Sequence, residues 1–312
     1  MSPTSARLRR LYLSNTPVTD LTPLAGLTDS RELSLSKTQV KDLAPLTALI
    51  KRGCSVRWAS FSEENSGIYV RDCPLTNPPP EVVARGNEAI LNYFAERARS
   101  GVDHLYEAKM MIVGEGGAGK TSLLTRLYLP GQDLPTASDS TKGIKIHKHR
   151  FDLKNGRTFQ LNVWDFGGQQ IYHATHQFFL TRRSLYVLLD DTGKDYKSAS
   201  DEGFKYWLEL IEVFGGHSPI LIFQNEKSGR SKAIDLGGIK QRYDNVKELY
   251  AGNLERGDAA AKIGEGIEYY ASHLAHVGEE LPARWLRVRE TIEALSAKKP
   301  YVPVEKYFEV YD

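Results

Sequence analysis

Eight residues constrain this chain more than any others. Gly114-Glu115-Gly116-Gly117-Ala118-Gly119-Lys120-Thr121 fit the pattern G-x-x-x-x-G-K-[ST]. They stand between an apolar run, residues 110–113, and a helical stretch that opens at Ser122. A glycine-rich loop in that context aims successive backbone N–H groups at one point, with no Cβ in the way. The positive end of the following helix adds to the pull on an anion, so the loop reads as a phosphate cradle running from Gly114 to Ser122. Lys120 is expected to face the β- and γ-phosphates, and the Thr121 hydroxyl to hold Mg2+.

A strand–loop–helix unit of this kind belongs in a layered α/β structure, and the chain from about residue 102 has that grammar. Strands are expected at 110–113, 144–153, 159–164, 185–189 and 220–223, with helices near 120–128, 170–179, 202–213, 238–250 and 264–275. The sheet should be mostly parallel. Lys154-Asn155-Gly156 is a hairpin signal that would place one antiparallel strand at its edge. A last helix is expected from Leu281 to about residue 298.

The N-terminal part follows a different rule. Leu11, Leu13, Val18, Leu21, Leu24 and Leu27 return as Leu33, Leu35, Val40, Leu43, Leu46 and Leu49, always after 22 residues. Thr16/Thr38, Asp20/Asp42 and Pro23/Pro45 keep the same step, while Asn15 is answered by Lys37. A leucine period of this length reads as a leucine-rich repeat, a short strand followed by a tight arc. Two repeats cannot bury their own faces, so 51–77 are expected to cap them. After the break at Asn77-Pro78-Pro79-Pro80, one helix from about Glu81 to Arg99 is expected to connect onward.

Composition sets outer limits. The net charge of +2, from 41 basic and 39 acidic side chains, gives no bulk attraction to nucleic acid or a lipid surface. Two cysteines, Cys54 and Cys73, exclude a disulfide framework and suit a reducing cytoplasm, where buried thiols are inert. No apolar run approaches the ~18 residues of a membrane span, and the first ten residues lack a signal-peptide core. The expectation is a cytoplasmic protein with no membrane span and no nucleic-acid partner.

A second motif narrows the chemistry. Leu161-Asn-Val-Trp-Asp165-Phe-Gly-Gly168-Gln169 ends an apolar strand on a carboxylate, then a glycine pair, then an amide. Asp165 is placed to hold Mg2+ through water, Gly168 to offer its N–H to a γ-phosphate, and Gln169 to orient an attacking water. Together the two motifs resemble the Ras-type small GTPases. With leucine-rich repeats ahead of them, the chain resembles the Roco proteins, which join repeats to a Roc GTPase and a COR module. Segment 68–81, Ile90-Leu-Asn-Tyr-Phe94, Phe178-Phe-Leu-Thr181 and Leu281-Pro-x-x-Trp285 share in the likeness. The resemblance implies repeats and cap over 1–77, a connecting helix over 78–101, a Roc domain over 102–298, and the start of a COR module over 299–312.

The same resemblance makes Thr141 the switch threonine that reaches Mg2+ beside the γ-phosphate, with Thr136 as the alternative. It also implies a base-reading N-K-x-D after the strand at 220–223. The chain offers Asn225-Glu226-Lys227-Ser228: Asn225 fits, Glu226 stands at the lysine position and Ser228 at the aspartate position. Lys227 could lay its stem over the base. Ala260-Ala261-Lys262 resembles the S-A-K loop, or is simply helical alanine.

The remaining candidates have plainer readings. His173 and His176 lie one helical turn apart without a third ligand, so a surface suits them better than zinc. Arg182 or Arg183 could reach a neighbouring molecule's phosphate as an arginine finger, although solvated surface is the simpler account. Lys142, Lys145, His147, Lys148, His149 and Arg150 make a basic edge strand that discourages edge pairing. The implied function is a GTP/GDP switch with slow Mg-dependent hydrolysis, whose repeats bind a protein partner. The alternatives are a non-hydrolysing nucleotide-binding scaffold and a base-indifferent NTPase.

Overall fold

The 22-residue step reappears as a strand register: Leu11 lies opposite Leu33 in a parallel pair. The computed structural model describes residues 8–27, 29–61, 66–136, 143–166, 179–192, 199–227, 233–256, 259–296 and 301–311, with main chain only at 199–202. Packing divides the chain into two units, Met1–Leu105 with Glu279–Asp312, and Tyr106–Gly278.

In the first unit, β1 (Arg10–Tyr12), β2 (Glu32–Ser34), β3 (Val56–Arg57) and β4 (Gly67–Tyr69) form a parallel sheet in the order β1-β2-β4-β3. The two sequence copies share their turns as well. Asn15 and Lys37 both adopt left-handed backbone, at φ 60° and 59°. Asp20 caps the 3-10 turn Thr22–Leu24, and Asp42 caps Ala44–Leu46, each by accepting a backbone N–H two residues on. Lysine for asparagine at residue 37 therefore leaves the turn intact. A third strand and turn of the same shape begin 35 residues after the second: Leu33 faces Ile68, and Asp72 repeats the left-handed turn at φ 59°. The residues between, including β3, lengthen that step.

The apolar positions of the second copy, Leu33 to Leu49, are fully buried, whereas in the first copy only Leu21 is. Helix α1 (Thr47–Lys51) closes that copy. The single helix expected over 81–99 is instead two, α2 (Pro80–Val83) and α3 (Asn87–Ser100), because Gly86 turns the chain at φ 89°. Val82, Val83, Ile90 and Tyr93 from these helices complete the repeat core. β5 (Val102–His104) follows.

The second unit is a six-stranded sheet in the order β11-β10-β9-β6-β8-β7. Its elements are β6 (Glu107–Gly114), α4 (Lys120–Tyr128), β7 (Ile144–Asp152), β8 (Thr158–Phe166), β9 (Ser184–Asp191), α5 (Ala199–Gly215), β10 (Ile220–Asn225), α6 (Leu236–Arg242), β11 (Val246–Gly252) and α7 (Ala259–Ser272). Only β7 runs antiparallel, paired along its length with β8 at the sheet edge. Alternation along β6 sends Met110 and Ile112 to one face, under α4 and α7, and Met111 and Val113 to the other, under α5. Both faces are covered, so the central strands are continuously apolar, and each buried Leu, Ile or Phe contributes about 1.5–3 kcal/mol.

One element differs from expectation. Of the helix expected over 238–250, only 236–242 is helical, and Val246–Gly252 pairs with β10 as a parallel strand. Asn245 decides this: buried, it donates to the carbonyls of Gly216 and Ser218, while its own carbonyl receives the N–H of Ile220. Residues 170–178 of the helix expected over 170–179 lie outside the described residues.

The chain then returns to the first unit through β12 (Glu280–Pro282), antiparallel to β5, followed by α8 (Ala283–Ser296) and α9 (Val304–Tyr311). Residues 279–296 therefore pack with the N-terminal unit, where the sequence reading placed them with the phosphate-loop domain. The ties are specific: Arg97 meets the Glu280 carboxylate at 2.7 Å, and Trp285 stands edge-on to Tyr93.

Candidate nucleotide-binding site

In an open α/β sheet, ligands bind beyond the carboxyl ends of the strands. There β6 delivers Gly114, β8 Asp165, β9 Asp191, β10 Asn225 and β11 the loop 253–256. The glycines of the loop are required by space as well as by φ. At Gly114 a Cβ would lie 2.5 Å from the Leu189 carbonyl oxygen, and at Gly119, with φ 99°, it would lie 2.5 Å from Asn225 Nδ2. Gly117, at φ 81°, faces open space. Ala118 is fully buried and anchors the loop from below, donating its N–H to the Glu115 carbonyl.

Lys120 is buried, and its ammonium donates to the carbonyls of Gly114 and Glu115 at 2.9 and 2.8 Å. A cation is thus held folded over the loop, where phosphate oxygens would replace those carbonyls. Thr121 donates its hydroxyl to Asp165 Oδ2 at 2.9 Å, and Asp165 is fully buried at the end of β8. A hydroxyl and a carboxylate in contact are hard oxygen donors of the kind Mg2+ takes. Ser122, half-buried in the first turn of α4, completes the phosphate-facing set.

Asn225 is buried and bridges two loops. Its Nδ2 donates to the Ala118 carbonyl at 3.1 Å, and its Oδ1 accepts the N–H of Leu254 at 3.4 Å. Lys227 donates to the Gly117 carbonyl and pairs with Asp191 at 3.0 Å. Arg126 of α4 holds the far side of the 253–256 loop through the carbonyls of Leu254 and Glu255, at 2.9 and 2.8 Å.

The structure thus brings together the loop from Gly114 to Ser122, Asp165, Asn225 and Lys227. Thr141, Gly168, Gln169 and Ser228, with His173 and His176, lie outside the described residues; Thr136 is described and exposed. Ala260-Ala261-Lys262 is not the S-A-K loop: these residues lie inside α7, with Ala260 in the core, and the loop that reaches Asn225 is 253–256. Arg182 and Arg183 precede β9, so a strand of eight residues, roughly 25 Å, separates them from the site end of their own sheet. Sequence reasoning missed Asp191, Leu254 and Arg126. The first had a signal, a paired Asp190-Asp191 closing an apolar strand; the other two act through backbone or on backbone and left none.

A phosphate loop, a carboxylate-ended neighbouring strand and an asparagine bridge on this sheet define a P-loop nucleotide-binding protein of the Ras-like type. Residues 109–228 match the family model "Ras of Complex, Roc, domain of DAPkinase". The chain is 27% identical over 76% of its length to the probable serine/threonine-protein kinase pats1 of Dictyostelium discoideum, covering 8% of that protein. It is 30% identical over 67% of its length to the Roc-COR-CHAT protease of Runella zeae, covering 24% of it. The solved structure of Methanosarcina barkeri Roco2 RocCORdC bound to GDP is similar at a TM-score of 0.58 and 33% identity, over 68% of this chain and 62% of that one. The chain carries a Roc domain over residues 109–228 and has Roco-family homologues. It spans less than a quarter of the length of these two curated relatives. No helix among the described residues is long and apolar enough to cross a membrane.

Proposed function

We propose that this chain is a guanine-nucleotide switch that binds GTP and GDP with Mg2+ and hydrolyses GTP slowly. The carrying observation is the Thr121–Asp165 contact beside the buried Lys120 ammonium, which sets a cation and a pair of oxygen donors around one phosphate cradle. Mg2+ would be held by Thr121 and Asp165, with Thr141 joining them, and would supply charge neutralisation on the phosphates. Lys120 and the N–H groups of 114–122 bind and orient the phosphates, Gly168 offers its N–H to the γ-phosphate, and Gln169 directs water. Asn225, Lys227 and Ser228 serve to hold the base.

The three parallel turns of the first unit are the leucine-rich repeats of this reading, a partner-binding surface, and α9 begins a COR module. The proposed division remains repeats and cap over 1–77, linker over 78–101, Roc over 102–298 and COR from 299, with 279–296 packed on the N-terminal side.

A second reading has its own support. Both polar atoms of the Asn225 side chain are already engaged by protein backbone, and Ser228 offers a weaker acceptor than a carboxylate. A base-indifferent NTPase follows if Asn225 only braces the loops. Calorimetric titration of the purified chain with GDP, GTP and ADP separates the two. Preference for guanine supports the switch; equal affinities support the indifferent enzyme.

A further inference from the structure

The amino ends of β1 and β2 carry an arrangement that the nucleotide site does not use. Arg9 stands immediately before β1 and Arg31 immediately before β2, so the 22-residue step that aligns the leucines aligns these two arginines as well. The Arg31 N–H donates to the Arg9 carbonyl at 2.9 Å. The two residues are therefore neighbours across a parallel pair, whose strands run about 4.8 Å apart. Like charges set side by side repel. Among the described residues, neither guanidinium has a carboxylate partner. Both are exposed, and solvent screens part of the repulsion, so the pair alone makes no site. The cavity that both side chains line is what makes one.

That cavity has a volume of about 600 Å³, enough for a small organic molecule. Helix α1 and the turn after it supply further walls: Leu49 is apolar, and Arg52 brings a third guanidinium. Arg52 meets the Asp29 carboxylate at 3.4 Å, which leaves the charges of Arg9 and Arg31 uncompensated. Ser30, between Asp29 and Arg31, lines the cavity too. It is only 7% exposed, and its buried hydroxyl has no hydrogen-bond partner among the described residues. A buried hydroxyl of that kind needs a water or a ligand to complete it. Carbonyls that would oppose an anion are already engaged. That of Arg9 accepts from the N–H groups of Arg31 and Glu32, that of Ser55 from Ile68, and that of Arg31 from the Cys54 thiol.

We propose that this cavity binds a phosphate monoester of a small organic molecule. A phosphoryl group carries about two negative charges near neutral pH, matching the two uncompensated guanidinium charges. Its terminal oxygens are numerous enough to accept from Arg9, Arg31 and the Ser30 hydroxyl together, whereas a carboxylate confines its acceptors to one plane. Arginine at both repeat positions suits the forked recognition of such an oxyanion better than lysine would. The organic part occupies the remaining volume, where Leu49 gives it an apolar wall. No residue of the second unit enters this inference, and it stands apart from the nucleotide reading.

The full chain, saturated with GDP and Mg2+ to fill the phosphate loop, is titrated calorimetrically with phenyl phosphate, inorganic phosphate and benzoate. The titration is repeated in Lys120→Ala, which lacks the loop's own cation. Half-buried Cys54 lines the same cavity and reports its occupancy: alkylation of Cys54 by iodoacetamide, followed by peptide mass spectrometry, should slow when phenyl phosphate is bound. Phenyl phosphate should bind about tenfold more tightly than benzoate and should be unaffected by Lys120→Ala. Inorganic phosphate should bind more weakly than phenyl phosphate, because it leaves the apolar wall bare. Arg9→Gln and Arg31→Gln should each weaken phenyl phosphate about tenfold, and Ser30→Ala about threefold. Both arginines are exposed, so neither substitution threatens the fold. Affinity unchanged in both arginine variants overturns the proposal, as does binding that disappears in Lys120→Ala. Benzoate binding as tightly as phenyl phosphate overturns it too, and so does the lack of both heat and Cys54 protection at about 10 mM phenyl phosphate.

Discussion

Lys227 and Asp191 form an ion pair at 3.0 Å in which the carboxylate is buried and the lysine reaches on to the Gly117 carbonyl. The pair ties the ends of β9 and β10 to the phosphate loop without placing Asp191 on a ligand. Charge-assisted bonds of this kind are worth about 1.5–3 kcal/mol, the lower end applying to a lysine that keeps some solvent. Lys227→Ala and Asp191→Ala should each speed GDP release about tenfold, and the double variant should be no worse than the poorer single one. Dissociation of a fluorescent GDP analogue measures this; additive losses would mean the two residues act separately.

Lys120→Ala should abolish nucleotide binding, because it removes the buried ammonium folded over the loop. Titration calorimetry with GDP provides the measurement, and wild-type affinity in the variant would refute the cradle.

Gln169→Leu should slow GTP hydrolysis while GTP binding stays within about twofold, since the amide acts on water rather than on the ground state. Single-turnover assays on the magnesium-loaded protein decide it. An unchanged rate would transfer the role to another residue or favour the non-hydrolysing scaffold.

Ser228→Asp should tighten GDP roughly tenfold or more and leave ADP unaffected, because a carboxylate can accept two hydrogen bonds from guanine and none from adenine at the same edge. Equal GDP and ADP affinities in the wild type, without gain in the variant, would establish base indifference.

Lys109 gives a pH signature. Burial lowers its pKa from 10.5 to about 8. Between those values the unfolded chain holds more protons than the folded one, so stability from this group rises with pH across the window. Below about 8 both states are protonated and the cost is full. Melting temperatures of wild type and Lys109→Met, followed from pH 7.5 to 10.5, should diverge in slope, with the wild type gaining relative to the variant. Parallel curves would contradict the shift.

The phosphate loop, the Asp165 motif and the 22-residue repeat were legible because each is local. Gly119 must be glycine for its φ of 99°, and Leu11 and Leu33 announce their pairing by spacing alone. The third strand and turn of the N-terminal sheet were not legible, since their step is 35 residues and only the register of Leu33 with Ile68 reveals them. Val246, Leu249 and Tyr250 stand at helical spacing, and buried Asn245 set the strand instead through carbonyls some 27 to 29 residues away. The same holds for the site. Sequence named Lys120, Thr121 and Asp165, whose chemistry is their own. Tertiary structure alone decided that Lys227 meets Asp191, that Leu254 meets Asn225, and that Lys109 grips Phe179. Those contacts join strand ends that are neighbours only once the sheet has formed, and a linear pattern carries no term for that.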